Sequence, residues 1–128
     1  MNIELAKRLV TRFRRMRHRK HFNMENVAIK TDCGTAMCIA GHTLDLCGYK
    51  PRWKNGELTG WLGPDGSELS YLNTLNVARK ELDLTYKQAQ YLDVYTTSDS
   101  GLFYRFDLKT PKQAAAVIEK MIAEVNND

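Results

Sequence analysis

The residues of this chain best suited to chemistry lie within fifteen positions of one another. Cys33, Cys38, His42 and Cys47 form a Cys-x4-Cys-x3-His-x4-Cys series. Thiolate and imidazole groups at such spacing are zinc-ligand types. Read as one helix from Thr35, the segment places Cys38 and His42 four apart on a shared face. Cys47, nine residues after Cys38, falls about 180° away around the axis. A tetrahedral site from Cys33, Cys38 and His42 would therefore need a fourth group from elsewhere. The competing reading makes Cys38 and Cys47 small buried hydrophobes and His42 a hydrogen-bonded residue at a helix edge; it is preferred, and no cofactor is expected.

The same segment suggests a nucleophile. Cys33 precedes an expected helix N-terminus, where the dipole and free N–H groups favour a thiolate. The N–H groups near Gly34 and Thr35 would form an oxyanion hole. His18, His21 or His42 would act as base, oriented by Asp32 or Asp45. Against this, Cys33-Gly34-Thr35 reads equally as a tight junction whose glycine permits the turn and whose threonine caps the helix. No spacing brings a histidine to Cys33, so the plain junction is preferred. Phosphate-cradling glycine motifs are absent, and the acidic residues form no distinctive pair.

The strongest functional signal is charge. The chain has 128 residues and a net charge of +4. Residues 1–30 carry nine Lys/Arg and two acidic side chains, a balance of +7, whereas residues 31–128 balance at −3. A basic N-terminal element thus sits on a mildly acidic body. Ile3, Leu5, Ala6, Leu9, Val10, Phe13 and Met16 recur at helical spacing over an arc of about 160°. Lys7, Arg8, Arg12, Arg14, Arg15, His18 and Arg19 occupy the other arc, with no acid nearby to neutralise them. Like charges at i, i+4, such as Arg8 with Arg12, destabilise a helix slightly. A face that bears this repulsion suits an external anion: phosphate backbones or an acidic protein surface. The competing readings are a solvated face, or one paired to Glu81, Asp83 or Asp93 of the body.

The elements that would position these residues follow from pattern. Asn2 caps the first helix, which is expected to end near His21, before Phe22 and Met24 return to the core. The second helix, starting at Thr35 and stopped by Gly48, is apolar almost all round and therefore central. Asn55-Gly56 signals a hairpin near residues 51–63 carrying Trp53 and Trp61. Further helices are expected from Ser70 to Leu82, from Thr85 to Val94, and from Thr110, where Thr110-Pro111-Lys112-Gln113 combines a capping box with proline at the first helical position. Thr96–Gly101 reads as a loop and Leu102–Leu108 as extended. The expected fold is mainly α: about five helices around a buried central one, with a small hairpin, in a single domain spanning 1–128.

Composition fits that frame. Apolar residues make up 43% and charged residues 27%, an ordinary globular balance. No apolar run is long enough to span a bilayer, and the basic start lacks the apolar core of a signal peptide. Three cysteines leave one unpaired in any disulfide scheme, so a reducing cytoplasm is expected.

The segment Cys33-Gly34-Thr35, Cys38 and Ala40-Gly41 resembles the Cys-Gly-Thr-x-x-Cys-x-Ala-Gly mark of a family of small uncharacterised bacterial and phage proteins. Phe22-Asn23-Met24, Ala78–Thr85 and Thr110–Ala114 with Ile118 resemble its flanks, so the similarity runs from about residue 22 onward. The resemblance implies a bacterial or phage origin and assigns no catalytic residue. Relatives often carry an aromatic residue where His42 stands, and the basic first helix lies outside the family pattern. The resulting expectation is a cytoplasmic, non-enzymatic accessory protein. It binds nucleic acid, or an acidic or nucleic-acid-binding protein complex, through the Lys7–Arg19 face, one such role being inhibition of a host machine. A cysteine-dependent enzyme and a small metal-binding protein are the alternatives.

Overall fold

The computed structural model describes residues 1–16, 21–24, 28–31, 34–85 and 108–126. Helix α1 spans Ile3–Arg15. Asn2 caps it as expected, its side-chain oxygen accepting from the Leu5 N–H at 3.1 Å. Leu5, Ala6, Leu9 and Phe13 are buried along one stripe. The helix ends at Met16, whose backbone is extended, well before His21. The aromatic core explains the early stop. Phe13 and Phe22 on one continuous helix would lie about 13 Å apart along the axis. Their rings instead meet edge to face at 5.5 Å, so the chain leaves the helix to fold Phe22 back.

A ribbon follows. Strand β1 (Ala28–Thr31) pairs antiparallel with β2 (Gly34–Met37). Thr35 opposes Lys30 within this ladder, which corrects the expectation that a helix starts there. Short apolar segments satisfy a helical and an extended pattern alike, and pairing with Ala28–Thr31 decides for the strand. Helix α2 begins only at Ile39, with Cys38 as its N-cap, and ends at Leu46. It is central as expected: Ile39 through Leu44 are all buried. The Thr43 hydroxyl is satisfied internally, donating to the Ile39 carbonyl at 2.8 Å. Gly48, at φ +89°, turns the chain away.

Strands β3 (Lys50–Lys54), β4 (Glu57–Leu62) and β5 (Glu68–Ser70) form an antiparallel sheet in that order. Asn55 and Gly56, both at positive φ (53° and 80°), make the tight turn between β3 and β4. Trp61, fully buried, points from the sheet to Thr74, its indole N–H donating to Oγ1 at 3.1 Å. A short 3-10 turn (Tyr71–Asn73) leads into α3 (Thr74–Leu82). The last described element, α4 (Pro111–Asn126), opens on the expected capping box. The Gln113 amide oxygen accepts from the Thr110 N–H at 3.0 Å, and the Gln113 N–H donates to Thr110 Oγ1 at 3.2 Å.

The architecture is therefore mixed α/β, not a five-helix bundle. Among the described residues, four α-helices pack with a three-stranded sheet and a two-stranded ribbon. The helix expected from Thr85 to Val94, apart from Thr85, and the segments at 96–108, apart from Leu108, lie outside the described residues. The core joins α1, α2, α3 and α4 through Leu9, Phe13, Ile39, Leu44, Leu82 and Ile118. No described helix is long and apolar enough to cross a membrane.

Candidate functional site

His42 shows what became of the expected thiol–imidazole chemistry. It is only 2% exposed, and both ring nitrogens are occupied. Nε2 lies 2.8 Å from the His21 carbonyl oxygen, which can only accept, so Nε2 carries the proton. Nδ1 faces Arg12 Nη1 at 3.3 Å, which can only donate. The neutral Nε2–H tautomer satisfies both partners. Phe13 packs edge-on against the ring at 5.2 Å. Burial pushes the imidazole pKa down to about 4, the Arg12 charge adding to the effect, while the His21 carbonyl and Asp45 oppose it. A histidine held this way supplies neither a free lone pair to a metal nor an open base to a thiol.

The cysteines are separated. Cys38, the α2 N-cap, is buried, and burial pushes its thiol up. Cys47, half buried beyond the far end of α2, is pushed up to about 11, first by burial and then by the charge and hydrogen bond of Glu81. Glu81 also accepts from the Tyr49 hydroxyl at 3.2 Å. Among the described residues, no group of three His, Cys, Asp or Glu side chains is arranged to hold a metal. Cys33, Asp32 and His18 lie outside the described residues; His21 is exposed, its Nδ1 at 3.4 Å from the Thr35 carbonyl.

The basic face is divided by its surroundings. Arg12 Nη1 meets Asp45 Oδ2 at 2.6 Å, with side chains only 28% and 32% exposed. Arg14 forks onto Glu119 of α4, Nε to Oε1 at 3.2 Å and Nη2 to Oε2 at 2.8 Å. The expectation of a face without neutralising acids is thus corrected at these two positions. The acids are Asp45 and Glu119, rather than Glu81 or Asp83; Asp93 lies outside the described residues. Lys7, Arg8 and Arg15 are exposed. Arg8 reaches the Leu46 carbonyl at a long 3.4 Å, and no described acid forms an ion pair with any of the three. Arg19 and His18 lie outside the described residues.

These three cations rim an open groove of about 600 Å³ between α1 and the end of α2. Thr11 and Arg12 lie between them, Met16 and Leu46 supply apolar surface, and Glu4 stands at the N-terminal end. Sequence reasoning singled out the cations but not Thr11, Met16 and Leu46. Leu46 joins the groove only because α1 packs on α2, a tertiary contact that no local pattern encodes. The groove is an open trough rimmed by cations, with a partly apolar base. It has the means to attract and hold an anionic group.

No family model matches the chain, and neither a curated protein nor a solved structure matches it.

Proposed function

We propose that this protein acts by binding, and that the groove on α1 receives an anionic partner: nucleic acid, or an acidic or nucleic-acid-binding protein complex. One observation carries the reading. Lys7, Arg8 and Arg15 stay exposed along a single groove while neighbouring Arg12 and Arg14 are neutralised within the fold. Exposed cations gathered along one groove, with no ion-pair partner among the described residues, favour an external counter-charge. Lys7 and Arg15 are two helical turns apart, about 12 Å along the axis. That reach engages several successive negative charges of an extended polyanion. The run Arg17-His18-Arg19-Lys20 continues the basic character in sequence.

The test is an anisotropy titration of labelled polyanions, a DNA duplex of about 20 base pairs and an acidic peptide, between about 50 and 200 mM salt. Binding should weaken as salt rises. For the duplex, three engaged cations give a slope of log K against log salt of about −3. The variant Lys7→Glu/Arg8→Glu/Arg15→Glu should lose the interaction. Affinity insensitive to salt and to this variant would overturn the reading.

A further inference from the structure

We infer that the α1 groove docks an acidic protein segment whose carboxylates are interspersed with apolar side chains. The inference rests on the reading of the groove as an anion site and names the partner's class.

Three features of the groove distinguish this partner from nucleic acid. The first is its base. Met16 and Leu46 are half-buried apolar side chains that pack on the core beneath and contribute to the groove above. The aliphatic stems of Lys7, Arg8 and Arg15 extend that surface, as long cationic side chains do. A sugar–phosphate backbone offers nothing apolar of matching size to such a strip. A helical or extended peptide with leucine-like residues does, in the manner of an amphipathic segment laid in a groove.

The second feature is what the lining lacks. Single-stranded nucleic acid is held by aromatic platforms on which bases stack. Among the described residues, those lining this groove include no aromatic side chain. The third is Glu4, at the N-terminal end of the cationic row. A uniformly charged phosphodiester strand running along α1 would meet this carboxylate as a like charge. A peptide can place a neutral or basic residue there and its acids opposite Lys7, Arg8 and Arg15. Charge complementarity with an interrupted acidic pattern is therefore better than with a continuous one.

The test uses the full chain and five labelled probes. They are a helical peptide of about five turns carrying Glu and Leu at alternating i, i+3/i+4 positions, the same peptide with Leu→Gln, the same with Glu→Gln, a DNA duplex, and a single strand of about 20 nucleotides. The Glu/Leu peptide should bind at least about tenfold more tightly than each of the others. Thr11→Glu, which puts an acid in mid-groove at an exposed position, should weaken the Glu/Leu peptide by about tenfold or more. Met16→Gln should bring the Glu/Leu peptide down to the level of its Leu→Gln counterpart and leave that counterpart unchanged. Thermal melts establish that both variants fold; Thr11→Glu alone decides if Met16→Gln does not.

The outcomes separate the two claims. If the Leu→Gln peptide or either nucleic acid binds as tightly as the Glu/Leu peptide, this inference falls and the anion site stands. If only the Glu→Gln peptide binds, the inference falls together with the anion site. If no probe responds to Lys7→Glu/Arg8→Glu/Arg15→Glu, both fall.

Discussion

The guanidinium of Arg12 joins two residues of α2 at once: Nη1 lies 2.6 Å from Asp45 Oδ2 and 3.3 Å from His42 Nδ1. One cation of the basic helix is thereby used to fasten α1 to the central helix. Asp45→Asn removes the counter-charge and leaves Arg12 partly buried against a neutral imidazole. Breaking a fully buried pair in this way costs about 3–5 kcal/mol. With roughly a third of each side chain still wet, about 1–3 kcal/mol is expected. Urea denaturation of Asp45→Asn measures it. Arg12→Met/Asp45→Leu should recover most of the loss, since it removes both charges together.

Acid should weaken the fold through His42. Its folded pKa is lowered to about 4 from 6.5, so between these values the unfolded chain binds the extra proton. Stability contributed by His42 is complete above about pH 6.5 and declines as pH falls toward 4. The full loss is about 3 kcal/mol at most. Urea midpoints across this range, compared with His42→Gln, isolate the effect. The wild type should lose stability more steeply than the variant as pH falls, and equal slopes would contradict the buried neutral ring.

How much of this could be read from the chain alone depended on how local each feature was. Thr110-Pro111-Lys112-Gln113 and Asn55-Gly56 act within a few residues, and both took the expected form. The burial of α2 and the apolar stripe of α1 were also legible, because each follows from periodicity within one element. Thr35 was misread because a short apolar segment fits two periods, and its partner Lys30 is recognised only once the ribbon closes. Strand β5 (Glu68–Ser70) falls between the hairpin expected near residues 51–63 and the helix expected from Ser70, and no local pattern there shows that the chain turns back onto β4. Division of the basic face was illegible for a similar reason. Glu119 is 105 residues from Arg14, and nothing along the chain announces that contact. The cationic groove was half visible: its charges lie on one helix, whereas its base requires α2.

Gly60 is a second site where tertiary closeness dictates the residue. A Cβ there would collide with the Leu69 carbonyl oxygen of the neighbouring strand. Because the obstacle is backbone, β4 and β5 must separate to admit it. Gly60→Ala is expected to destabilise by about 2 kcal/mol or more. Gly56→Ala, whose Cβ meets nothing within 4 Å, strains only the positive φ. Denaturation of the two variants compares crowding with backbone strain, and Gly60→Ala should be the more damaging.

The described thiols should react slowly. With its pKa near 11, Cys47 holds little thiolate at neutral pH, and Cys38 is buried. Both should alkylate more slowly than free cysteine in the folded protein. Glu81→Gln should speed Cys47 by removing the carboxylate that opposes its ionisation. Peptide mapping after brief iodoacetamide treatment reads all three cysteines together. A Cys33 faster than free cysteine would revive the nucleophile reading.

On the proposed reading, the position of the cations rather than the total charge decides binding. The direct measurement is binding of the acidic peptide to two triple variants of equal net charge. Lys7→Glu/Arg8→Glu/Arg15→Glu reverses the groove, and Lys54→Glu/Lys80→Glu/Lys112→Glu reverses exposed lysines elsewhere. The first should lose at least about tenfold in affinity while the second stays near wild type. Equal losses in both variants, or retained binding in the first, would contradict that reading.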